Sequence, residues 1–357
     1  MLKGRPVRQT IGRYFAAFRK SQRKTMAALT LGLLRSGRAG AAHIARGMID
    51  ATTPRHRIKR ICRFCQNVRV RPETAMLCLI GWLVPTDCPV TVALDWTYLT
   101  DYVMLSANIV VAGRAVPLAW TVMKRRVFDA TKTSRNTVED DLILRLDAAM
   151  GDREWVLVAD RGYARADLIA KLQGWGIQFV IRAQTGTWGE MEGFSDRLEN
   201  LKCRPNRAVR YESVRYQKER RVEVSLVTTH ADPAAEAWYL LTNVEGDAED
   251  ICRLYAERMS IEQAFRDGKS NLGIDKLWLA QADRMERMMI VVALAMAMAI
   301  LTGLNWRRKH HGKDPQLTTK RKGWSLSVFR LGLHLIQLHG PPRDLQHLPL
   351  LVVLEAP

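Results

Sequence analysis

An uncharged segment near the C-terminus constrains the fold more than any other feature of the sequence. Residues 288–304 (MMIVVALAMAMAILTGL) carry no charged side chain, and arginines flank them on both sides. Their length lies at the lower limit of about 17 to 25 residues for a membrane-spanning helix. However, their Ala/Met composition is only weakly hydrophobic, and no second such segment accompanies them. We therefore predict a helix buried between the layers of a soluble fold, and no membrane partner.

The charge balance points to a nucleic-acid partner. The chain has 357 residues, 47% hydrophobic and 25% charged, a composition typical of a globular protein of two or three domains. Its 55 lysine and arginine residues outnumber 36 acidic ones, for a net charge of +19. Residues 1–88 hold 18 of the basic residues against three acidic ones, and the remaining 269 residues carry only +4. This asymmetry predicts a basic module that holds a polyanion and a second module that acts on it.

The cysteines predict a reducing, cytoplasmic location without disulfides. There are six of them in a long chain with no recognisable signal peptide. Cys62 and Cys65 form a C-x-x-C pair, but no second Cys/His pair with zinc-site spacing follows. We expect these two cysteines to be small buried side chains rather than metal ligands.

Apolar residues at three- and four-residue spacing predict helices throughout residues 1–88. The predicted helices span residues 9–18, 25–35, 41–48, 55–66 and 72–83. The third and fourth resemble a helix-turn-helix, because only residues 49–54 separate them. The fourth carries five basic residues: Arg55, Arg57, Lys59, Arg60 and Arg63. We favour DNA contact by this helix, and a solvated basic face on a small helical bundle is the alternative.

From Pro89 onward the pattern is that of an α/β fold. β-Branched and aromatic residues predict strands at 90–96, 103–111, 114–122, 155–159 and 179–182, with helices at 137–150 and 165–174. The acidic residues 139–141 are assigned to the first turn of the 137–150 helix, facing the helix dipole. Residues 185–243 alternate at period two and predict a mostly β insertion. Residues 247–337 return to helix, with a basic loop at 307–322.

Two aspartates follow strands that are predicted to be buried. Asp95 ends the run Val92-Ala93-Leu94, and Asp160 ends the run Val156-Leu157-Val158-Ala159. A carboxylate after a buried strand is held rigidly at the edge of the sheet, where ligand crevices form. Either aspartate alone also fits a solvated turn, so a functional interpretation depends on a third group.

The third group lies on the predicted helix of residues 247–272. At about 100° per residue its polar members fall within about 60° of one another, beside an apolar stripe. The polar members are Tyr255, Arg258, Glu262 and Lys269, and the stripe consists of Leu254, Ile261, Phe265 and Leu272. A polar face at the margin of the core favours a site in a cleft against the sheet. An intrahelical salt bridge between Arg258 and Glu262 is the alternative.

Three converging carboxylates repel one another unless a cation compensates their charge. Oxygen ligands without a convincing His/Cys set suit Mg²⁺, with Mn²⁺ as a substitute. Two such ions about 3.5 to 4 Å apart can activate a water and stabilise the leaving oxygen of a phosphodiester. A basic protein with Asp95, Asp160 and Glu262 as metal-binding and catalytic residues is therefore expected to cleave nucleic acid or transfer strands.

These motifs resemble the DDE transposases of bacterial insertion sequences, in the insertion-sequence-four group marked by Y-x2-R-x3-E-x6-K. Tyr255, Arg258, Glu262 and Lys269 match the four positions of that signature. Asp95 matches the first carboxylate, and Asp160-Arg161-Gly162-Tyr163 matches the D-x-G-[FY] block around the second. The three motifs occur in the right order, and the resemblance covers residues 89–300.

The resemblance implies an RNase H-like mixed sheet whose three carboxylates bind two Mg²⁺ ions. It also implies a transposase that nicks DNA at the terminal repeats of the element and then uses the 3′-OH for strand transfer, in cut-and-paste transposition. Together with the pattern along the chain, it predicts a basic helical DNA-binding domain (1–88), a catalytic core in two parts (89–184 and 244–300), a β insertion (185–243) and a helical C-terminal region (301–357). Because transposition joins two ends, we expect a homodimer on double-stranded DNA.

The resemblance also implies DNA contacts. In hairpin-forming members a tryptophan in a W-x-L-L-T strand stacks on a flipped base, and Trp238 matches it, with an ordinary sheet tryptophan as the alternative. Tyr255, Arg258 and Lys269 are the implied phosphate contacts near the cut end. We add Arg161 and Tyr163 from the second motif and Arg182 after a core strand.

Two other functions remain open at this point. One is a nuclease that cuts DNA without integrating it. The other is a DNA-binding regulator whose catalytic core has decayed.

Overall fold

The computed structural model describes residues 4–130, 135–230, 236–277, 279–310 and 326–345. The N-terminal part is helical, as predicted, with α1 (Arg5–Tyr14), α2 (Lys20–Ser36), α3 (Ala41–Gly47), α4 (Pro54–Gln66) and α5 (Pro72–Leu83). The first two helices begin earlier than predicted. In α1, a proline in the first turn provides the backbone angle that a helix start needs, which explains the earlier beginning.

Ten strands of the described residues form one sheet, in the order β3-β2-β1-β4-β5-β10-β9-β8-β6-β7. Their bounds are β1 (Val90–Tyr98), β2 (Tyr102–Val111), β3 (Arg114–Lys124), β4 (Trp155–Ala159), β5 (Gln178–Arg182), β6 (Trp188–Met191), β7 (Phe194–Arg197), β8 (Val209–Tyr216), β9 (Val222–Thr229) and β10 (Trp238–Thr242). β4 pairs in parallel with both β1 and β5, and the other pairings are antiparallel. The protein is therefore mixed α/β, as predicted.

The predicted β segment of residues 185–243 continues this sheet rather than standing apart from it. β10 pairs with β5, and β9 pairs with β10. The boundary predicted at residue 184 therefore does not interrupt the hydrogen-bonded sheet.

The helices between the strands are α6 (Arg125–Ala130), α7 (Arg135–Met150) and α8 (Ala166–Gly174). The buried side chains of α7 are Glu139, Leu142, Ile143, Leu146 and Met150. The assignment of residues 139–141 to the first turn is wrong, because helical residues already precede them from Arg135 onward. Glu139 lies on the apolar face of the helix instead.

The single helix predicted for residues 247–272 is also wrong, because the structure divides it. It consists of α9 (Ala248–Ala256), α10 (Met259–Arg266) and a π-helical turn (Asp267–Asn271). At the break, the Arg258 amide donates to the Tyr255 carbonyl, and the Ile261 amide donates to the Arg258 carbonyl. These three-residue bonds tighten the backbone, so the angular arithmetic of one regular helix does not hold across Arg258.

The apolar segment forms the middle of α11 (Ala282–His310), which packs against β3, α2 and α12 (Val328–His339). By length and hydropathy it is a candidate membrane span, but its most apolar 18-residue window is entirely buried inside the protein. The predicted buried helix is thus confirmed. α11 also crosses the boundary predicted at residue 300, and it includes the start of the predicted basic loop. The rest of that loop, residues 311–322, lies outside the described residues.

The N-terminal helices share a core with the rest of the protein. α2 and α4 pack on α11, and α5 packs on β3. Arg287 of α11 donates a 2.7 Å hydrogen bond to the carbonyl of Cys65, and the Ala39 amide donates a 2.7 Å bond to the carbonyl of Leu272. The basic N-terminal region is therefore held firmly against the C-terminal helices.

Candidate active site

The sheet brings Asp95 and Asp160 to one edge. In the parallel pair of β1 and β4, Leu94 lies opposite Ala159. Asp95 is the next residue of β1, and Asp160 is the first residue after β4. Carboxyl ends of adjacent parallel strands are where open α/β sheets form their ligand crevices. The register of two neighbouring strands, separated by about sixty residues of sequence, thus places the two carboxylates side by side.

Backbone amides fix the orientation of both carboxylates. Asp95 Oδ1 accepts a 2.7 Å hydrogen bond from the Trp96 amide, and Asp160 Oδ1 accepts a 2.8 Å bond from the Gly162 amide. The Asp160 bond caps a short 3₁₀ turn, Arg161–Tyr163. A Cβ atom at Gly162 would lie 3.0 Å from Asp160 Oδ1, so this turn favours glycine.

Arg258 connects the third acid to the first. Its Nη2 lies 2.9 Å from Glu262 Oε1 and its Nη1 lies 3.7 Å from Asp95 Oδ2. The arginine side chain is only 11% exposed, whereas the Glu262 side chain is 45% exposed. The intrahelical salt bridge considered as an alternative is therefore present in this conformation, and it extends to Asp95.

The charges of Asp160 and Glu262 both act on the pKa of Asp95. Burial, the charge of Asp160 and, less strongly, that of Glu262 raise the pKa of Asp95, the Trp96 amide and Arg258 lower it, and the net result is a pKa of about 6. Burial alone would lower the pKa of Arg258, but Tyr255, Glu262 and Asp95 reverse this, and the net shift is upward. Negative charge thus accumulates at Asp95, and Arg258 is its counter-ion.

The donor chemistry of this cluster fits a hard divalent cation. Its ligands would be carboxylate oxygens, which suit Mg²⁺ and Mn²⁺, and the repulsion between Asp95 and Asp160 would be relieved by a cation. In this conformation, however, no group of three His, Cys, Asp or Glu side chains among the described residues could hold a metal ion. Asp95 and Asp160 are brought together, and Glu262 is engaged by Arg258 instead.

The predicted stacking residue Trp238 lies at the start of β10, next to the acidic cluster. Its ring packs edge-on against the ring of Tyr255, with centroids 4.9 Å apart and planes inclined by 76°. Tyr255 itself is 3% exposed. Burial raises its pKa, and the charges of Arg258, Arg182 and Asp160 also act on it. Tyr255 thus packs behind the site, and Trp238 already has an aromatic partner.

Two predicted DNA-contacting arginines converge on one acid that sequence reasoning missed. Glu236 lies 2.8 Å from Arg182 and 3.6 Å from Arg161, and its side chain is half exposed. Arg182 also donates to the carbonyl of Ala237. Pattern alone gave no signal for Glu236, because its role follows from the pairing of β10 with β5.

Tyr163 is buried away from the surface position that a phosphate contact needs, whereas Lys269 is half-buried. Tyr163 is 2% exposed, and its buried hydroxyl has no hydrogen-bond partner. Burial, followed by the charges of Asp95, Glu139 and Asp160, raises the pKa of this hydroxyl well above its ordinary value. Lys269 lies in the π-helical turn, where burial lowers its pKa against the opposing charge of Asp275.

Glu139 is a second acid whose role was missed. It is 4% exposed, accepts a 2.8 Å hydrogen bond from the Trp96 indole nitrogen, and pairs with Arg165 at 3.1 Å. Since the Trp96 amide holds Asp95, Glu139 anchors the residue that orients the first carboxylate. The available signal was its spacing of three, four and seven residues from Leu142, Ile143 and Leu146, which puts a carboxylate on a buried helix face.

The five basic residues of α4 divide into two groups. Arg57 and Arg60 are partly buried and both pair with Asp50, at 2.9 and 3.0 Å, so they stabilise the turn between α3 and α4. Arg55, Lys59 and Arg63 are exposed and four residues apart, so they form a basic stripe.

The expectation that both C-x-x-C cysteines are buried is correct for Cys65 and wrong for Cys62, which is exposed.

Comparison with known proteins identifies a family. A family model described as the transposase DDE domain matches residues 107–298. The matched segment includes Asp160 and Glu262, and Asp95 precedes it on β1. No curated protein matches the chain. Since the match covers more than half of its 357 residues, the chain belongs to the transposase DDE domain family.

Proposed function

We propose that this protein is a DNA transposase that cuts the terminal repeats of an insertion sequence and joins the cut ends to a target. The observation that carries the proposal is the side-by-side placement of Asp95 and Asp160 where the parallel pairing of β1 with β4 ends, with the Glu262 charge acting on Asp95. Membership of the transposase DDE domain family supports it, because that family implies an enzyme of transposase or nuclease type with DNA as substrate.

The proposed core is RNase H-like. Its support is the strand order β3-β2-β1-β4-β5, in which β1 to β3 are antiparallel and β4 and β5 run parallel to β1. Strands β6 to β10 enter between this core and α9, as an insertion would. The match to Y-x2-R-x3-E-x6-K supports the insertion-sequence-four group.

Asp95, Asp160 and Glu262 are the residues that would hold Mg²⁺, with Mn²⁺ as a substitute. Bound divalent ions would make water or a 3′-OH more acidic and stabilise the negative charge on the leaving oxygen. The chain itself contributes orientation, because backbone amides already hold one oxygen of each aspartate. A carboxylate that cannot rotate freely loses less entropy when it binds a ligand.

DNA would contact the protein through two sets of basic side chains and one tryptophan. The exposed stripe of Arg55, Lys59 and Arg63 suits the duplex backbone, since phosphates dominate protein–DNA affinity. Near the acids, Arg161 and Arg182 are the proposed phosphate contacts. Trp238 would stack on a displaced base if its edge contact with Tyr255 opened. We also propose that two copies of the protein act together on the two ends of the element. The location would be the cytoplasm.

The test is Mg²⁺-dependent strand cleavage by single-residue variants. We expect Asp95→Asn, Asp160→Asn and Glu262→Gln each to abolish nicking of labelled duplex DNA while mobility-shift assays still detect binding. Asp101→Asn is the matched control, because Asp101 is an exposed residue of the β1–β2 turn and its loss removes the same charge. Full nicking by any of the three site variants would overturn the proposal.

A second assay separates the transposase from the two alternatives. The protein is incubated with labelled duplex ends, a target plasmid and Mg²⁺, and joined products are sought. Joined products support a transposase, whereas nicks without joining indicate a nuclease. Tight binding without any nick indicates a regulator.

A further inference from the structure

The Arg258 guanidinium lies between two carboxylates from different parts of the fold. Asp95 comes from β1 and Glu262 from α10, and the guanidinium is 3.7 Å from the first and 2.9 Å from the second. One nitrogen faces each acid, so a single +1 charge serves both. The oxygens engaged, Asp95 Oδ2 and Glu262 Oε1, are ones that a bound cation would also use. Asp95 Oδ1 already accepts the Trp96 amide.

The position of Arg258 follows from the break between α9 and α10. Arg258 is the residue before α10 begins, and the tightened turn aims its side chain along the sheet edge toward Asp95 as well as toward Glu262, one turn ahead. In an uninterrupted helix, an i, i+4 pair alone would be expected. Arg258, at this break, pairs with Glu262 of its own helix and also with Asp95 of β1.

The arginine is incompletely satisfied where it lies. Its Nε is buried and has no hydrogen-bond partner, although guanidinium groups normally donate from all three nitrogens. A buried donor without a partner is unfavourable, and the two ion pairs have to offset this together with the desolvation of the charge. A ligand that offered Arg258 more acceptors, such as a phosphate group, would therefore compete well for it.

A guanidinium and a divalent ion cannot occupy the same space between Asp95 and Glu262. Building on the proposed function, we propose that Arg258 fills the cation position of the DNA-free protein and gives it up when a DNA phosphate binds its guanidinium. Metal binding and DNA capture are then coupled, and each must strengthen the other by the same factor. Because of this coupling, the DNA-free protein would bind the metal ion only weakly.

Other arginines near Arg258 mark a position where a phosphate could bind. Tyr255 is near Arg258, whose guanidinium carbon lies 6.0 Å from the centre of its ring, and the charge of Arg182 also acts on its hydroxyl. Arg182 and Arg161 already converge on an anion, the carboxylate of Glu236. A phosphate that enters beside these arginines would draw Arg258 away from the carboxylates by simple attraction.

The test measures Mn²⁺ binding to the full chain by electron paramagnetic resonance, without DNA and without turnover. Arg258→Gln removes the competing cation, and we expect it to bind Mn²⁺ about tenfold more tightly than the unaltered protein. Arg253→Gln is the matched control, because Arg253 lies in α9, is exposed, and pairs with Asp250 away from the site. We expect its Mn²⁺ affinity to be unchanged. Adding Glu262→Gln to Arg258→Gln should abolish the gain.

A second measurement adds duplex DNA to the unaltered protein and to Arg258→Gln. Duplex DNA should raise the Mn²⁺ affinity of the unaltered protein by about tenfold, and of Arg258→Gln by much less. Equal Mn²⁺ affinity in the unaltered protein and Arg258→Gln, or an equal effect of DNA on both, would overturn the proposed coupling while leaving the metal site intact. If Asp95→Asn leaves Mn²⁺ binding unchanged even with DNA present, the proposed function itself fails, and the coupling fails with it.

Discussion

Glu236 Oε2 lies 2.8 Å from Arg182 Nη2, and the other oxygen of the same carboxylate lies 3.6 Å from Arg161 Nη1. Arg161 follows β4, and Arg182 is the last residue of β5. Because β4 and β5 are neighbouring parallel strands, the sheet sets the spacing of the two arginines. A two-oxygen anion bridging two guanidinium groups is also how a phosphate binds such a pair. Partly exposed ion pairs contribute only about 0 to 1 kcal/mol, so a DNA phosphate can displace Glu236.

We predict that Glu236→Gln binds duplex DNA more tightly, by about three- to tenfold, because both arginines become available to phosphates. The measurement is fluorescence anisotropy of a labelled duplex at one fixed salt concentration. Glu190→Gln is the control, since Glu190 forms a comparable pair with Arg215 and its loss changes the net charge equally. Equal gains in the two variants would show that only net charge matters. In an Arg161→Gln/Arg182→Gln background the gain should vanish.

The sequence predicts the strands and their ends well, because hydrophobic runs bounded by polar residues carry that information locally. Asp95 and Asp160 were identified for this reason, each standing where such a run stops. What the sequence pattern does not encode is pairing. That β10 joins β5, which places Glu236 beside two arginines, depends on contacts between residues far apart along the chain.

The break before α10 was missed for a different reason. No proline or glycine marks it, and Glu257 and Arg258 are both good helix formers. Tertiary packing outweighs these preferences, because it buries Tyr255 on one side of the break and Ile261 on the other. Periodicity likewise identified the basic residues of α4, but not that Asp50 engages two of them.

We predict that Glu139→Ala destabilises the protein by about 3 kcal/mol, because it leaves the Trp96 indole N–H without its acceptor and Arg165 with one ion pair fewer. Asp141→Ala is the control on the same helix. Asp141 is 62% exposed and pairs with Arg145, so its loss should change stability by less than about 1 kcal/mol. Urea unfolding at neutral pH measures both. Similar losses in the two variants would contradict the anchoring role of Glu139.

The packing of α11 on α12 gives a prediction about helix contact. A Cβ atom on Gly332 would overlap the carbonyl oxygen of Ala299, so Gly332→Ala must push the two buried helices apart. We expect a loss of about 3 kcal/mol or more. Gly81→Ala is the control, because Gly81 is an exposed residue of α5 with open space at its Cβ position. Replacing it should be neutral or stabilise by up to about 1 kcal/mol, the ordinary helix preference. Thermal unfolding midpoints distinguish the two.

The raised pKa of Asp95 predicts how the stability of the metal-free protein depends on pH. Burial and the Asp160 charge raise this pKa from 3.8 to about 6, so the folded protein binds the proton more tightly than the unfolded chain does. The stability contributed by protonating Asp95 is therefore fully present below about pH 4 and is lost as the pH rises through 6.

Asp95→Asn removes this ionisation, so in EDTA it should be more stable than the unaltered protein at pH 7, by at most about 3 kcal/mol. At pH 4 the two proteins should have nearly the same free energy of unfolding, because Asp95 is then largely protonated when folded. Asp101→Asn, at an exposed turn position, controls for removing one acidic charge and should not reproduce this pH-dependent difference. Urea unfolding at the two pH values provides the measurement. A difference in the free energy of unfolding that grows toward pH 4 would contradict the prediction. It would mean that Arg258 stabilises the charged Asp95 carboxylate more than burial and Asp160 destabilise it.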